Sequence, residues 1–455
     1  LINSFLKSNY AKNVAIILSG NVIAQLIPLL ITPIISRLFS VEEFGLFALY
    51  SSIASFFMVI AAGRYEMAIL LPKDDKIAVN VLALCLLLIF SVAFTLLLIV
   101  LALSQQISNL FGSIHLQAWL IWVPLSVVTG AVYRTFTYWS NRKNRYKDTA
   151  SSTIIQSATR AGINLSGGLI KHSSEVSNNF LKGLFKGEFI SSTGVSKAGI
   201  GSLIGGYIAG FGLGAVNLIR RFWINDNNLL SSVSWKTIWE QAKNYDKFPK
   251  INALHALVDE VKNGGVALLI ALFFTEIVLG LYSMTFRVLA MPISVVGSAF
   301  GQVFMQNAAN QYADKQEILP LINNTIKKLS LIAIPVFLPI ILVGPWLFQF
   351  VLGAEWRISG EFAQLLSPWL ILTFILSPVL QTAIITGHQK DMFLKALIGN
   401  LIIFGSIFSG SFFFNNLKAG FILLSTLQIL YYFWLYRWII RLAQDADYQN
   451  KANAQ

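Results

Sequence analysis

The chain has 455 residues, 55% of them hydrophobic and only 12% charged, with a mean hydropathy of +0.65. Soluble domains carry roughly 25% charged residues, so composition argues against a soluble globular fold; the length accommodates about a dozen membrane spans of about 20 residues each. The net charge of +13 is what cytoplasmic loops rich in Lys and Arg produce, and it calls for no nucleic-acid partner.

Apolar runs bounded by charge or turn residues predict about twelve helices, near 14–35, 44–62, 77–103, 116–140, 150–170, 199–219, 251–274, 278–304, 329–352, 362–386, 395–414 and 419–440. The chain opens at Leu1 rather than Met, so a short preceding piece is expected. The first run is too long, and too polar at Asn21 and Gln25, for a cleaved signal peptide. With the N-terminus in the cytoplasm, about 23 basic residues fall in inside loops and tails and about 7 outside, the bias the positive-inside rule requires. An even number of spans returns the C-terminus to the cytoplasm. The expected organisation is an N-lobe over 1–222, a cytoplasmic linker over 223–250 and a C-lobe over 251–455. The linker, with Trp223, Trp235 and Trp239 among Lys residues, reads as an interfacial helix on an anionic leaflet. The longest outside segment, 171–197, is Ser-rich with an apolar patch. Phe44-Gly45-Leu46-Phe47-Ala48 is echoed by Leu279-Gly280-Leu281-Tyr282-Ser283, a faint tandem repeat.

Cys85 is the one cysteine and the four His residues are scattered, so neither a disulfide framework nor a metal site is expected, and no cofactor or catalytic group. Chemistry resides instead in ionisable residues within the spans, each costing at least about 2.5 kcal/mol at the bilayer centre unless it is sheltered or paired. Arg160, Lys262 and Arg287 fall mid-depth, whereas Arg134 is near enough to a helix end to snorkel. In the seventh span His255, Asp259 and Lys262 share one face at i, i+4, i+7, with Glu260 and Asn263 on the adjacent face, and Gly264-Gly265 interrupt the helix. Either this stripe lines a polar path, or Asp259 and Lys262 neutralise each other. Arg287 precedes Pro292, which frees a carbonyl and kinks the eighth span. Asn21 and Gln25 form a neutral face followed by Pro28 and Pro33, suited to a cavity wall or to interhelical hydrogen bonds. Arg64 and Glu66 at the inside end of the second span suit an interface anchor or a gate. The surplus of intramembrane cations points to an anionic substrate.

The stretch Gly63-Arg64-Tyr65-Glu66-Met67-Ala68-Ile69-Leu70-Leu71-Pro72 resembles the polysaccharide-transporter family of bacterial flippases, the Wzx-like exporters of O-antigen and related repeat units. Asn141-Arg142-Lys143-Asn144-Arg145-Tyr146 and the run from Leu281 through Arg287 and Pro292 to Phe304 support the likeness. The resemblance implies a multidrug/oligosaccharidyl-lipid/polysaccharide (MOP) exporter fold: an all-α polytopic membrane protein of two six-helix lobes in a V, working by alternating access. The implied substrate is a polyprenyl-pyrophosphate-linked oligosaccharide, moved from the inner to the outer leaflet of the bacterial cytoplasmic membrane. Membrane lipids, a polysaccharide polymerase and a chain-length regulator are the implied partners, and no enzymatic activity is implied. Arg287 matches a cavity arginine of related lipid II flippases, and Arg160 substitutes for first- and second-helix cations that this chain lacks. Two other readings are a cation-coupled multidrug exporter, which would show carboxylates in the N-lobe, and a membrane polymerase or glycosyltransferase, which would show an outside Asp-x-Asp pair. Neither feature is present in the expected places.

Overall fold

A computed structural model describes the backbone of residues 9–184 and 197–452, and the side chains of residues 22–173, 197–261 and 264–448. Every regular element among the described residues is helical, which is what a bilayer demands when backbone groups must be satisfied within each segment. Numbering the helices of eight or more residues in chain order gives α1 (Asn9–Leu38), α2 (Val41–Ile60), α3 (Asp75–Leu110), α4 (Val123–Arg142), α5 (Tyr146–Leu184), α6 (Lys197–Asp226), α7 (Trp235–Asn244), α8 (Ala253–Glu260), α9 (Val266–Phe273) and α10 (Glu276–Pro292). They continue as α11 (Ser298–Ala313), α12 (Leu319–Leu352), α13 (Arg357–Leu376), α14 (Gln389–Phe412) and α15 (Leu417–Ala452). The chain separates into two compact units, one ending at Gly280 and one beginning at Leu281.

Among the described residues, Val41–Ile60, Asp75–Leu110, Lys197–Ser232, Glu276–Ala313, Leu319–Leu352, Ala354–Leu376, Gln389–Phe412 and Leu417–Tyr448 are long and apolar enough to cross a membrane, with a shorter apolar helix at Val22–Leu38. The other expected spans, 116–140, 150–170 and 251–274, do not qualify. They are the stretches that carry Arg134, Arg160 and the Asp259-Glu260 pair, among many neutral polar residues. Phe90, Phe94 and Leu101 of α3 stand more than half exposed on the outer surface, where lipid takes the place of solvent.

In the first unit, α2 begins with a capping box, Ser40 and Glu43 each bonding the other's backbone amide. The echoed glycines meet: a Cβ on Gly45 would collide with the Glu276 carbonyl, and one on Gly280 with the Val41 carbonyl, so both must be glycine for α2 and the start of α10 to touch backbone to backbone. One feature differs from expectation. Residues 171–184, expected in an outside loop, continue α5, and Lys171 is buried against Glu43 at 2.8 Å. In the expected seventh span, the interruption expected at Gly264-Gly265 takes the form of a π-turn over Val261–Gly265 between α8 and α9.

The second unit is tied by reciprocal bonds between α10 and α13, Thr285 donating to the Ser359 carbonyl and Ser359 to that of Leu281, both at 2.9 Å. Pro345 in α12 removes the amide that would bond the Ile341 carbonyl, and the Gln364 side chain of α13 donates to that carbonyl instead at 2.8 Å. In α10, Pro292 is followed by a π-turn over Ile293–Gly297, five residues beyond the half-buried Arg287.

Candidate functional site

The site in the first unit grows from a stripe of small residues. Ser202, Gly206, Gly210 and Gly214 recur every four positions on one face of α6, so its backbone can lie against α5. A Cβ on Gly210 would fall 2.8 Å from the Gln156 carbonyl and 3.3 Å from the Arg160 Cβ, and one on Gly206 3.1 Å from the Arg160 carbonyl. This close approach draws Arg160 onto the ring of Tyr207. Its guanidinium carbon stands 5.3 Å from the Tyr207 ring centre and 5.2 Å from that of Phe47 on α2. The two rings meet edge to face at 5.9 Å, and both residues are buried. A planar cation packed against two aromatic rings is held in place without being neutralised.

Around Tyr207 the other groups converge. Its phenol lies within electrostatic reach of Arg160, of Arg134 on α4 and of Glu260 at the end of α8. Ser55 of α2 donates to Glu260 Oε1 at 2.6 Å, which turns that carboxylate towards the helices of the first unit. Among the described residues, neither Arg134 nor Arg160 has a carboxylate within ion-pair distance. Glu260 is thus one negative charge near two half-buried guanidinium groups, and Glu66, also in electrostatic reach of Arg134, is already paired with Arg64, so the set keeps a positive excess.

The structure thereby brings together three of the residues singled out in the sequence, Arg134, Arg160 and Glu260. His255 and Asp259 form an i, i+4 pair at 3.3 Å, with both side chains more than half exposed and on a different side of α8 from Glu260. Arg287 belongs to the second unit. Gln25 is half-buried on α1. The side chains of Asn21, Lys262 and Asn263 lie outside the described residues. Tyr207 and Ser55 went unnoticed in the sequence, and Phe47 stood out only as part of the tandem echo, because an aromatic or a serine in an apolar run carries no signal. The four-residue spacing of glycines in α6 was the clue that could have led to Tyr207.

A second cluster caps the end of the first unit that the charge bias assigns to the cytoplasm. Gly63 and Arg64 both adopt left-handed backbone (φ +58° and +61°), turning the chain sharply into the 3₁₀ segment Tyr65–Leu70. Arg142 donates to the carbonyls of Ile69 at 2.9 Å and Pro72 at 2.6 Å and to Asp75 at 2.9 Å, so the two sequence motifs interlock. Arg145 grips the buried Asp226 through both nitrogens, at 2.6 and 2.9 Å, and Trp139 donates to the same carboxylate at 2.9 Å. Arg64 pairs with Glu66 at 3.3 Å. Burial pushes the Glu66 carboxyl above its ordinary pKa, against the opposing pull of a backbone hydrogen bond, Arg64 and Arg134, and one of its oxygens has no partner among the described residues.

Residues 34–173 and 196–360, about two thirds of the chain, match the family described as polysaccharide biosynthesis protein. The chain belongs to that family. Both interlocked motifs, Arg134, Arg160, Tyr207, Glu260 and Arg287 lie within the matched stretches. No curated protein matches the sequence. Among solved structures, a multidrug resistance MATE-family transporter of the MOP superfamily in an inward-facing conformation is similar with a TM-score of 0.58 at 12% identity, covering 96% of each chain. The lipid II flippase MurJ in an inward closed conformation also matches with a TM-score of 0.58, at 15% identity over 94% of this chain and 91% of that one. A MOP-superfamily transporter from Pyrococcus furiosus, described as having a binding pocket of reverse polarity, matches at 0.51 and 11% identity over 97% and 98% of the two chains. This member of the polysaccharide biosynthesis protein family therefore has the helical fold of MOP-superfamily transporters.

Proposed function

We propose that the protein is a flippase that carries polyprenyl-pyrophosphate-linked oligosaccharide repeat units, of O-antigen, capsule or exopolysaccharide type, from the inner to the outer leaflet of a bacterial cytoplasmic membrane. The observation that carries this reading is the pair of half-buried guanidinium groups, Arg134 and Arg160, which have no carboxylate at ion-pair distance among the described residues and leave the site cationic. A cargo of about two negative charges is what such a site stabilises. A drug exporter for cations would need the opposite sign, and the reverse polarity described for the Pyrococcus furiosus transporter supports the view that this fold accepts either. The family's role in polysaccharide biosynthesis and the likeness to a lipid II flippase favour a lipid-linked saccharide.

In the proposed mechanism Arg160, held against the rings of Phe47 and Tyr207, and Arg134 receive the pyrophosphate, and Glu260 is displaced from their field as the anion arrives. Lys262, and Arg287 of the second unit, are further cations that the anion meets during transit. His255, Asp259, Asn263, Asn21 and Gln25 are proposed as polar lining or coupling groups, and Arg64 and Glu66 as a gate at the entry end. The isoprenoid tail stays in lipid. An inside-negative potential assists outward movement of the anion by about 2.3 kcal/mol per charge per 100 mV. The protein acts as a transporter, not an enzyme, and a polysaccharide polymerase and a chain-length regulator are its proposed downstream partners.

The test is leaflet-specific labelling of polyprenyl-pyrophosphate oligosaccharides in a strain lacking the protein, complemented with wild type or with Arg160→Ala. Accumulation of completed units on the cytoplasmic face, cleared by wild type and not by the variant, is the expected result. Normal arrival at the outer leaflet without the protein overturns the reading.

A further inference from the structure

Between the end of α6 and the start of α8, the chain lays one short amphipathic helix against the first unit, and both ends of that helix are clamped. At the N-terminal side Asn80 of α3 donates to the Ser232 carbonyl at 3.0 Å and accepts from the Ser234 amide at 2.9 Å, and Ser234 caps α7 by accepting from the Thr237 amide at 3.2 Å. Towards the C-terminal side Tyr65 donates to the Ala242 carbonyl at 2.8 Å. With Ile238 and Gln241 buried, the rotation of α7 about its axis is settled, and the opposite face is presented deliberately.

That face is costly to leave in water. Trp235 and Trp239 are 64% and 56% exposed and touch edge to face at 6.2 Å. Lys243 continues the same i, i+4, i+8 stripe, Lys236 adjoins it, and Lys247 follows one turn on; all three lysines are exposed. Glu240 is the one exposed acid within α7, and Asp246 is already paired with Lys250 at 2.5 Å. Tryptophans flanked by lysines form a surface with an apolar body and a cationic rim, complementary to acyl-chain roots beneath phosphate headgroups.

We infer that α7 docks on the surface of an anionic membrane leaflet, with Trp235 and Trp239 seated at headgroup depth and Lys236, Lys243 and Lys247 on lipid phosphates. The occupant is a lipid surface because the face carries exposed tryptophan beside lysine and adjoins α3, which is long and apolar enough to cross a membrane. Through Tyr65 and Asn80 the docked helix braces the Gly63–Pro72 turn, so leaflet charge reaches the segment that holds Arg64 and Glu66.

The test uses the full-length protein reconstituted in vesicles and does not depend on transport, so its failure is distinct from failure of the flippase reading. Cys85 is wholly buried, so a bimane probe attached to a Trp239→Cys variant reports from one place. Quenching by headgroup-level spin-labelled lipid is compared with quenching by aqueous iodide, in vesicles of phosphatidylethanolamine alone and with added phosphatidylglycerol. We expect lipid quenching to exceed iodide quenching by about threefold with the anionic lipid present. The difference should shrink as salt is raised towards ~0.5 M, where the Debye length falls to roughly 4 Å. The triple variant K236Q/K243Q/K247Q should lose the dependence on phosphatidylglycerol while remaining monodisperse. Quenching by iodide alone overturns the proposal, as does shielding from both quenchers, which would mean a protein partner. Lipid quenching indifferent to phosphatidylglycerol and to the lysines overturns its anionic part.

Discussion

The first unit holds two groups of arginines that differ in one respect. At the end capped by the Gly63–Pro72 turn, Arg142 and Arg145 are saturated with carbonyl and carboxylate partners; deeper in the helices, Arg134 and Arg160 have none at ion-pair distance among the described residues. Saturated cations hold the fold together, and once their bonds are made they have nothing to offer a ligand. An arginine kept oriented by aromatic rings retains its donors and much of its field, which is how a polar site is kept ready for an anion.

The comparison breaks most visibly at Arg145. Replacing it by Ala leaves the Asp226 carboxylate, 4% exposed, with only Trp139 and the more distant Lys143, and should destabilise the protein by about 3 kcal/mol or more, read as a drop in thermal unfolding midpoint in detergent. Asp226→Asn added to it should recover part of the loss. Arg160→Ala should do the reverse, leaving the unfolding midpoint near wild type while transport falls between roughly 10- and 100-fold, the worth of charge-assisted bonds of about 1.5–3 kcal/mol. Arg160→Lys should not restore it, because an ammonium lacks the planar fork of donors that pairs with phosphate oxygens; equal loss of stability and transport in either variant would erase the distinction.

Gly210→Ala tests how the unpaired arginine is placed. Its methyl would press on the Gln156 carbonyl and part α5 from α6, at a cost of about 1–2 kcal/mol in the same unfolding assay. Tyr65→Phe, which loses one bond to the Ala242 carbonyl, should cost about 1 kcal/mol. The smallest effect has the opposite sign. Because burial raises the Glu66 pKa, the stability it contributes is complete below its unfolded pKa and is lost as pH rises through the folded one. Glu66→Gln should therefore match wild type in acid and exceed it at neutral pH. A variant less stable than wild type at neutral pH would mean that the Arg64 ion pair outweighs desolvation.

Much of this was legible before the fold. The long apolar helices follow from hydropathy, and Arg160 is singled out in the sequence as a charge midway along an expected span. The glycine interruption after Asn263 appears as the π-turn over Val261–Gly265. Lys171 was misread as the start of an outside loop, because its partner Glu43 stands 128 positions away. The same distance in sequence hid the grip of Arg145 on Asp226, 81 residues apart. His255 and Asp259 looked equal to Glu260, since helical periodicity says which residues share a face without saying what that face meets.

The sequence by itself determined that this is a helical multi-pass membrane protein, since hydrophobicity and period are properties of residues and their near neighbours. Only the tertiary structure decided which charges are spent on the fold and which remain available. Pairing depends on distances between helices that the chain order does not encode, and those distances are set where small residues let backbones touch, at Gly45 with Gly280 and at Gly206 and Gly210 against α5.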